Sequence, residues 1–278
     1  MAGFASLDDL INELTVNSKE LFATFSKTGT AAEAAGVWHS LWRVGTYPAA
    51  GGDGPAGSTT GVGGSALVLE AGSLAAWGNQ SPDTKHLLTV DMQATVDCTV
   101  MLYDRLVHAS GINLAGTATR NVGSTALPRY SGTASAGVQV WAEVTTITAG
   151  AAPTMAMNSY TDQDGNTGSA GGTLTFPATA TNVDAFIGPL PLASGDTGVR
   201  SVETVSVLSG CTSGTANIVL IRPLAYFPMT AFLGVTRDFV SMLPSLPRVY
   251  DGHTLALAYL ATTTTATTVT GQIRAGYG

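Results

Sequence analysis

The sequence predicts a mainly β protein: an antiparallel β-sandwich or jelly-roll-like domain behind a short N-terminal helical arm. Three observations predict it. Runs rich in Val, Thr, Ile and Tyr alternate apolar and polar residues with period two, as half-buried strands do. Turn-forming residues separate these runs with no helices interleaved, which favours a sandwich or barrel over an α/β fold. Helical apolar spacing is concentrated in the N-terminal segment.

That segment comes first. Over residues 6–25, Leu7, Leu10, Ile11 and Leu14 follow the i, i+3, i+4, i+7 rule, and Leu21, Phe22 and Phe25 continue the stripe. Ser6 is placed to cap the helix, and Asp8 and Asp9 suit the positive end of its dipole. Thr15-Val16-Asn17-Ser18 has poor helix propensity and marks a break. Residues 1–36 are therefore expected to form a helical arm. Its stripe packs either on its own domain or, as an interface, on a neighbouring subunit.

Residues 37–278 form the β region, as one domain or two subdomains. Residues 51–65 are glycine-rich, but no G-x-x-x-x-G-K-[ST] or G-x-G-x-x-G pattern opens a helix after them, so they read as a surface loop. Strands are expected at 87–93, 95–103, 137–147 and 154–160, the last leading into a turn at 162–166. Residues 199–208 and 216–222 read as a hairpin, and 255–261 with 265–275 as another. Between them, residues 223–252 are punctuated by Pro223, Pro228, Pro244 and Pro247, with a short helix expected at 236–243. So long a connection is expected to be a binding loop or a packed excursion.

Composition narrows function. The 278 residues are 45% hydrophobic but only 11% charged, where about 25% is usual. A surface of hydroxyls and small side chains is easily buried against another protein, because few charges must be desolvated. Mean hydropathy is +0.24, yet no run approaches the roughly 20 apolar residues of a membrane-spanning helix. The opening MAGFASLDDL lacks the basic and apolar regions of a signal peptide, so folding in the cytosol is expected. Net charge is −7, and the arginines stand singly along the chain, which argues against nucleic acid as a partner.

Catalytic and metal patterns are weak. His39, His86, His108 and His253 are scattered, with no G-x-S-x-G elbow and no zinc spacing, so neither an enzyme nor a cofactor is expected. Asp162, Asp164 and Asn166 resemble the start of a calcium loop, but its twelfth position is Thr173, and a β-turn is the stronger reading. Cys98 and Cys211 lie in apolar runs and are expected to be free, buried thiols. Trp38, Trp42, Trp77 and Trp141 suit core packing as well as a sugar platform.

The segments "F-x-S-L-D-D-L-I-N-E-L-T", "V-W-H-S-L-W", "S-P-D-T-K-H-L-L" and "S-Y-T-D-Q-D-G-N", with the Thr/Ala-rich C-terminus, are similar to structural proteins encoded among the head genes of tailed phages. The likeness is one of style over most of the chain. It implies a virion component made in the host cytoplasm, with the capsid-exterior decoration (cement) type favoured and no enzymatic activity. The partners implied are the major capsid protein and further copies of the chain, a trimer suiting three-fold capsid sites. A tail or tail-tube structural protein and a carbohydrate- or receptor-binding β-protein are the alternatives.

Overall fold

The computed structural model describes residues 3–30, 33–52, 64–147, 150–177, 184–242 and 246–278. Strand accounts for 49% of the chain and helix for 6%. Helix α1 (Leu7–Thr15) precedes β1 (Glu20–Thr28), β2 (Trp38–Ser40) and β3 (Ser65–Ala66). Next come β4 (Lys85–Ala94), β5 (Cys98–Asn113), β6 (Ala118–Asn121), β7 (Gln139–Ile147), β8 (Thr154–Asp162), β9 (Thr173–Thr175) and β10 (Phe186–Ile187). The chain closes with β11 (Val199–Ser209), β12 (Gly214–Met229), β13 (Val235–Asp238), β14 (Arg248–Val249), β15 (Leu255–Ala261) and β16 (Thr268–Tyr277).

These strands make a β-sandwich-like fold of three antiparallel sheets. The central sheet runs β10-β7-β12-β5-β15-β2, with β3 also on β5. One outer sheet runs β1-β16-β4-β13, with β14 also on β4, and the other runs β6-β11-β8-β9. Strands β5 and β12 are 16 residues each, long enough to serve both outer sheets. Val100, Leu102, Phe227 and Met229 join the core under the first outer sheet. Farther along the same strands, Leu106, Ile112, Ile218 and Leu220 join the core under the second. The alternate side chains, Met101, Tyr103, Trp141, Val219 and Ile221, pack with Trp42 and Phe186 in a third cluster. Period two thus places the aromatic cluster on the opposite face of the central sheet.

Three expectations are corrected. The helix ends at Thr15, and residues 20–28 are strand β1, paired with β16 from Glu20↔Gly276 to Thr28↔Thr268. The break is chemical: the Thr15 hydroxyl donates back to the Ile11 carbonyl at 2.7 Å, and Ser18 adopts a left-handed φ of 55°. Leu21 and Phe25 satisfy either period, Phe22 only the helical one, and the free edge of β16 decided for strand, with Phe22 turned outward. Ser6 caps α1 as expected, its hydroxyl accepting from the Asp9 N–H at 3.1 Å. The stripe is consequently divided. Leu10 and Phe25 are buried, and Leu14 and Leu21 pack against the same core. Leu7, Ile11 and Phe22 are exposed by 53%, 48% and 56%, so they alone of the seven offer a substantial apolar surface to another subunit.

Both expected hairpins are instead arches between sheets. β11 belongs to an outer sheet and β12 to the central one; β15 is central and β16 outer. The β4–β5 link crosses likewise. Each pair turns side chains toward a common core instead of exchanging backbone hydrogen bonds. Finally, residues 236–238 of the expected helix lie in β13, which pairs with β4 from Val235↔Met92 to Asp238↔Thr89. Only a 3₁₀ turn, Val240–Met242, follows, with Asp238 accepting from the Val240 N–H at 2.8 Å. Of the glycine-rich loop, residues 53–63 lie outside the described residues, as does residue 243 of the expected helix.

Candidate functional site

Two polar networks inside the sandwich set the stage. On the aromatic face, Arg105 and Glu143 form a fully buried, bidentate pair with N–O distances of 3.1 and 2.8 Å. Asn217 Nδ2 also donates to Glu143 Oε2 at 3.1 Å, and the guanidinium lies over the Trp42 ring at 5.0 Å. Burial alone would raise the Glu143 carboxyl, but Arg105 outweighs it and holds the group at about 2. His108 Nδ1 sits 3.2 Å from an Arg105 amine that can only donate, so this nitrogen accepts and the ring is neutral. Burial, then the Arg105 charge, pushes its pKa down to about 3.

The second network is built on Arg129. Its guanidinium donates to both Asp104 oxygens at 2.6 and 2.5 Å, and to the carbonyls of Leu67, Gly252 and Arg105 at 2.7–2.8 Å. One side chain thereby staples four segments together and fixes its neighbour Tyr130, which holds a left-handed φ of 58°. Tyr130 packs on Tyr250 with ring centroids 4.5 Å apart and planes at 57°.

This tyrosine pair divides a cleft where strand β14 of one outer sheet approaches the segment leading from β6 to β7. Two cavities share Tyr130, Ala134, Arg248 and Tyr250 as walls. The first, about 420 Å³, is bordered by Asp83, Lys85, Arg129 and Asp251. The second, about 440 Å³, is completed by Thr133, Ala136, Arg222, Pro223, Leu224 and Pro247. Arg222 lies on β12 just before its register shift at Pro223/Ala225. It donates to the Ala136 carbonyl and lies 5.7 Å from the Tyr130 ring centroid. Arg248 stacks closer, 4.2 Å from the Tyr250 centroid. Gly137 has φ 83°, a backbone conformation that favours glycine, and a Cβ there would displace the Arg222 guanidinium.

The sequence-derived candidates lie elsewhere. Asp162 Oδ1 accepts from the N–H groups of Asp164, Gly165 and Asn166 at 2.8–2.9 Å, and Oδ2 accepts from the Asn166 amide at 2.7 Å. These bonds, the Asn166 side chain foremost, hold its carboxyl below the usual range. The carboxylate is thus consumed by the turn, and Gln163 Nε2 engages Asp164 at 2.8 Å. The four histidines stay apart: His39 beside Tyr259, His86 beside Phe4, His108 on Arg105 and His253 beside Trp77. Cys98 and Cys211 form no disulfide and are buried in different cores. Trp38 and Trp141 meet edge to face at 6.1 Å, and Trp141 stacks on Phe186 at 4.7 Å. Trp42 and Trp77 are buried.

Sequence reasoning missed the cleft because its arginines read as isolated. The one signal was the proline-punctuated stretch 223–252, which supplies Pro223, Leu224, Pro247, Arg248 and Tyr250. Comparison of the chain with protein-family models, with curated proteins and with solved structures gave no match.

Proposed function

We propose that the protein is a non-enzymatic structural component of a tailed-phage virion, a decoration protein that binds the outside of the head and bridges capsomers. The observation that carries this reading is the outer face of the β1-β16-β4-β13 sheet. Register aligns Thr24, Gln272, Asp91 and Thr236 in one row across four strands, and Ser26, Thr270 and Gln93 in the next. A third row runs from the exposed Phe22 through Arg274 and Thr89 to the exposed Asp238. The result is a broad face made mainly of hydroxyls and amides, with Asp91, Arg274 and Asp238 as the charges of these rows. Its hydroxyls and amides cost less to desolvate than charges do, which suits contact with another folded surface over a wide area. Exposed Leu7 and Ile11 of α1 add apolar area.

Attachment through several copies slows release even where each contact is weak, which is what a shell-reinforcing protein needs. A trimer matches three-fold positions on an icosahedral shell. The test is cosedimentation of purified protein with heads from the same genome that lack it. Binding that saturates at a fixed copy number supports the reading. Failure to bind, or a hydrolytic activity abolished by one substitution, overturns it.

A further inference from the structure

We propose that the cavity between Arg222 and Arg248 is a carboxylate-binding site that takes an acidic side chain from an extended segment of a partner protein. The site stands independently of the virion reading, because it concerns the chemistry of the ligand and not where the protein resides.

The chain has 12 cationic side chains against 19 acidic ones, and most of the cations have work inside the fold. Lys19, Lys85, Arg105, Arg129 and Arg274 pair with carboxylates, as does Arg43 with Asp184. Arg222 and Arg248 form no ion pair among the described residues, yet both line one cavity whose walls hold no carboxylate. Arg222 spends one amine on the Ala136 carbonyl, and Arg248 is exposed with its face on Tyr250. The Tyr130 hydroxyl beside them is buried without a hydrogen-bond partner, on a residue only 7% exposed. Two guanidiniums bordering one space that holds no carboxylate form an acceptor-seeking site. A carboxylate satisfies it best, since its two oxygens match the planar fork of a guanidinium.

The surroundings select among carriers of that charge. Arginines already occupy positions over both tyrosine rings, and the rings pack against each other, so no open aromatic platform remains for a sugar. A nucleic acid or other polyanion needs a track of cations, and the net charge of −7 repels one. Proline and leucine walls, Pro223, Leu224 and Pro247, suit the aliphatic stem and flanking backbone of a glutamate in an extended peptide. The volume of about 440 Å³ falls within the roughly 300–1,000 Å³ common to ligand sites.

The experiment follows arginine side-chain Nε–H signals of the full chain by NMR during titration with acetyl-Ala-Glu-Ala-amide. Acetyl-Ala-Gln-Ala-amide, inorganic phosphate and methyl glucuronide serve as comparison probes. Saturable shifts of the Arg222 and Arg248 signals with the Glu peptide, and none with the Gln peptide, are expected. Arg248→Gln should weaken binding about tenfold or more at unchanged thermal stability, and Arg222→Gln should do so as well. Arg248→Gln is the decisive variant, because its side chain makes no polar contact that the fold needs. Equal response to the Gln peptide, no saturable shift, or undiminished binding by Arg248→Gln would overturn the proposal. Tighter saturation of the same signals by phosphate or methyl glucuronide would overturn the assignment to a protein segment.

Discussion

Replacing Glu33 by Gln should remove a pH dependence of stability that the fold imposes on one carboxyl. Glu33 is 2% exposed, and its Oε1 accepts from the Thr267 N–H at 3.3 Å, while Oε2 has no partner. The contact ties the segment before β2 to the start of β16. Burial pushes the carboxyl from 4.5 up to about 7, opposed only in part by Thr267. A group whose folded pKa is raised contributes stability that is complete below the unfolded pKa. That contribution declines as pH rises and is gone above the folded pKa. At about 1.4 kcal/mol per pH unit, the interval from 4.5 to about 7 is worth about 3 kcal/mol. Histidine works in the opposite direction. Burial lowers His108 to about 3 and His253 to about 4, with His39 and His86 also lowered. These rings charge more readily when unfolded, so their contribution rises with pH up to about 6.5.

The total profile therefore mixes both signs, and only the difference between wild type and Glu33→Gln isolates the carboxyl. Urea unfolding of both proteins should show wild type losing about 3 kcal/mol relative to the variant between about pH 4.5 and 8. Gln keeps the acceptor for Thr267 and fills the same space, so packing changes little. A difference constant with pH would mean that Glu33 titrates in the folded protein as it does in the unfolded chain, and the reasoning would fail.

Glu143→Gln leaves Arg105 as a buried unpaired charge, and urea unfolding should register a loss of about 3–5 kcal/mol. Leu10→Ser should cost about 2–5 kcal/mol, because this face of α1 sits in the core, whereas the exposed Ile11→Ser should change stability by about 0.5 kcal/mol or less. Substituting Leu7, Ile11 and Phe22 together by Ser should leave the melting temperature nearly unchanged while weakening assembly or head binding. Sedimentation of that variant indistinguishable from wild type would remove these residues from the interface. Both cysteines are buried, and burial pushes the Cys98 thiol up to about 12; labelling of these buried thiols should be slow in the native protein and reach two per chain once it is unfolded.

Much of the secondary structure was legible in the chain itself. Period-two alternation located β4, β5, β7, β8, β11, β12, β15 and β16, because side chains on successive residues of a strand must meet different surroundings. The Asp162 turn was legible too, since Asp, Gly and Asn satisfy a tight reversal within a few residues. Local chemistry of this kind needs nothing beyond the neighbouring sequence. The capping of α1 by Ser6 belongs with it.

Partnership did not follow from the same pattern. Alternation tells which side chains share a face, but it does not say which backbone receives the hydrogen bonds. A short link between two apolar strands fits a hairpin or an arch equally well, and the competition of all strands for β12 and β16 decided for arches. Residues 20–28 became β1 for the same reason: Leu21 and Phe25 fit two periods, and the edge of β16 selected one. The cleft is the extreme case. Arg222, Arg248, Tyr130 and Tyr250 lie on different segments and meet only because β14 docks on β4 while Arg129 locks its own loop onto Asp104. The chain alone determined where those eight alternating strands form, through local side-chain periodicity; tertiary packing decided the strand state of residues 20–28 and 235–238, which strands pair and where charge gathers, through contacts between residues far apart in sequence.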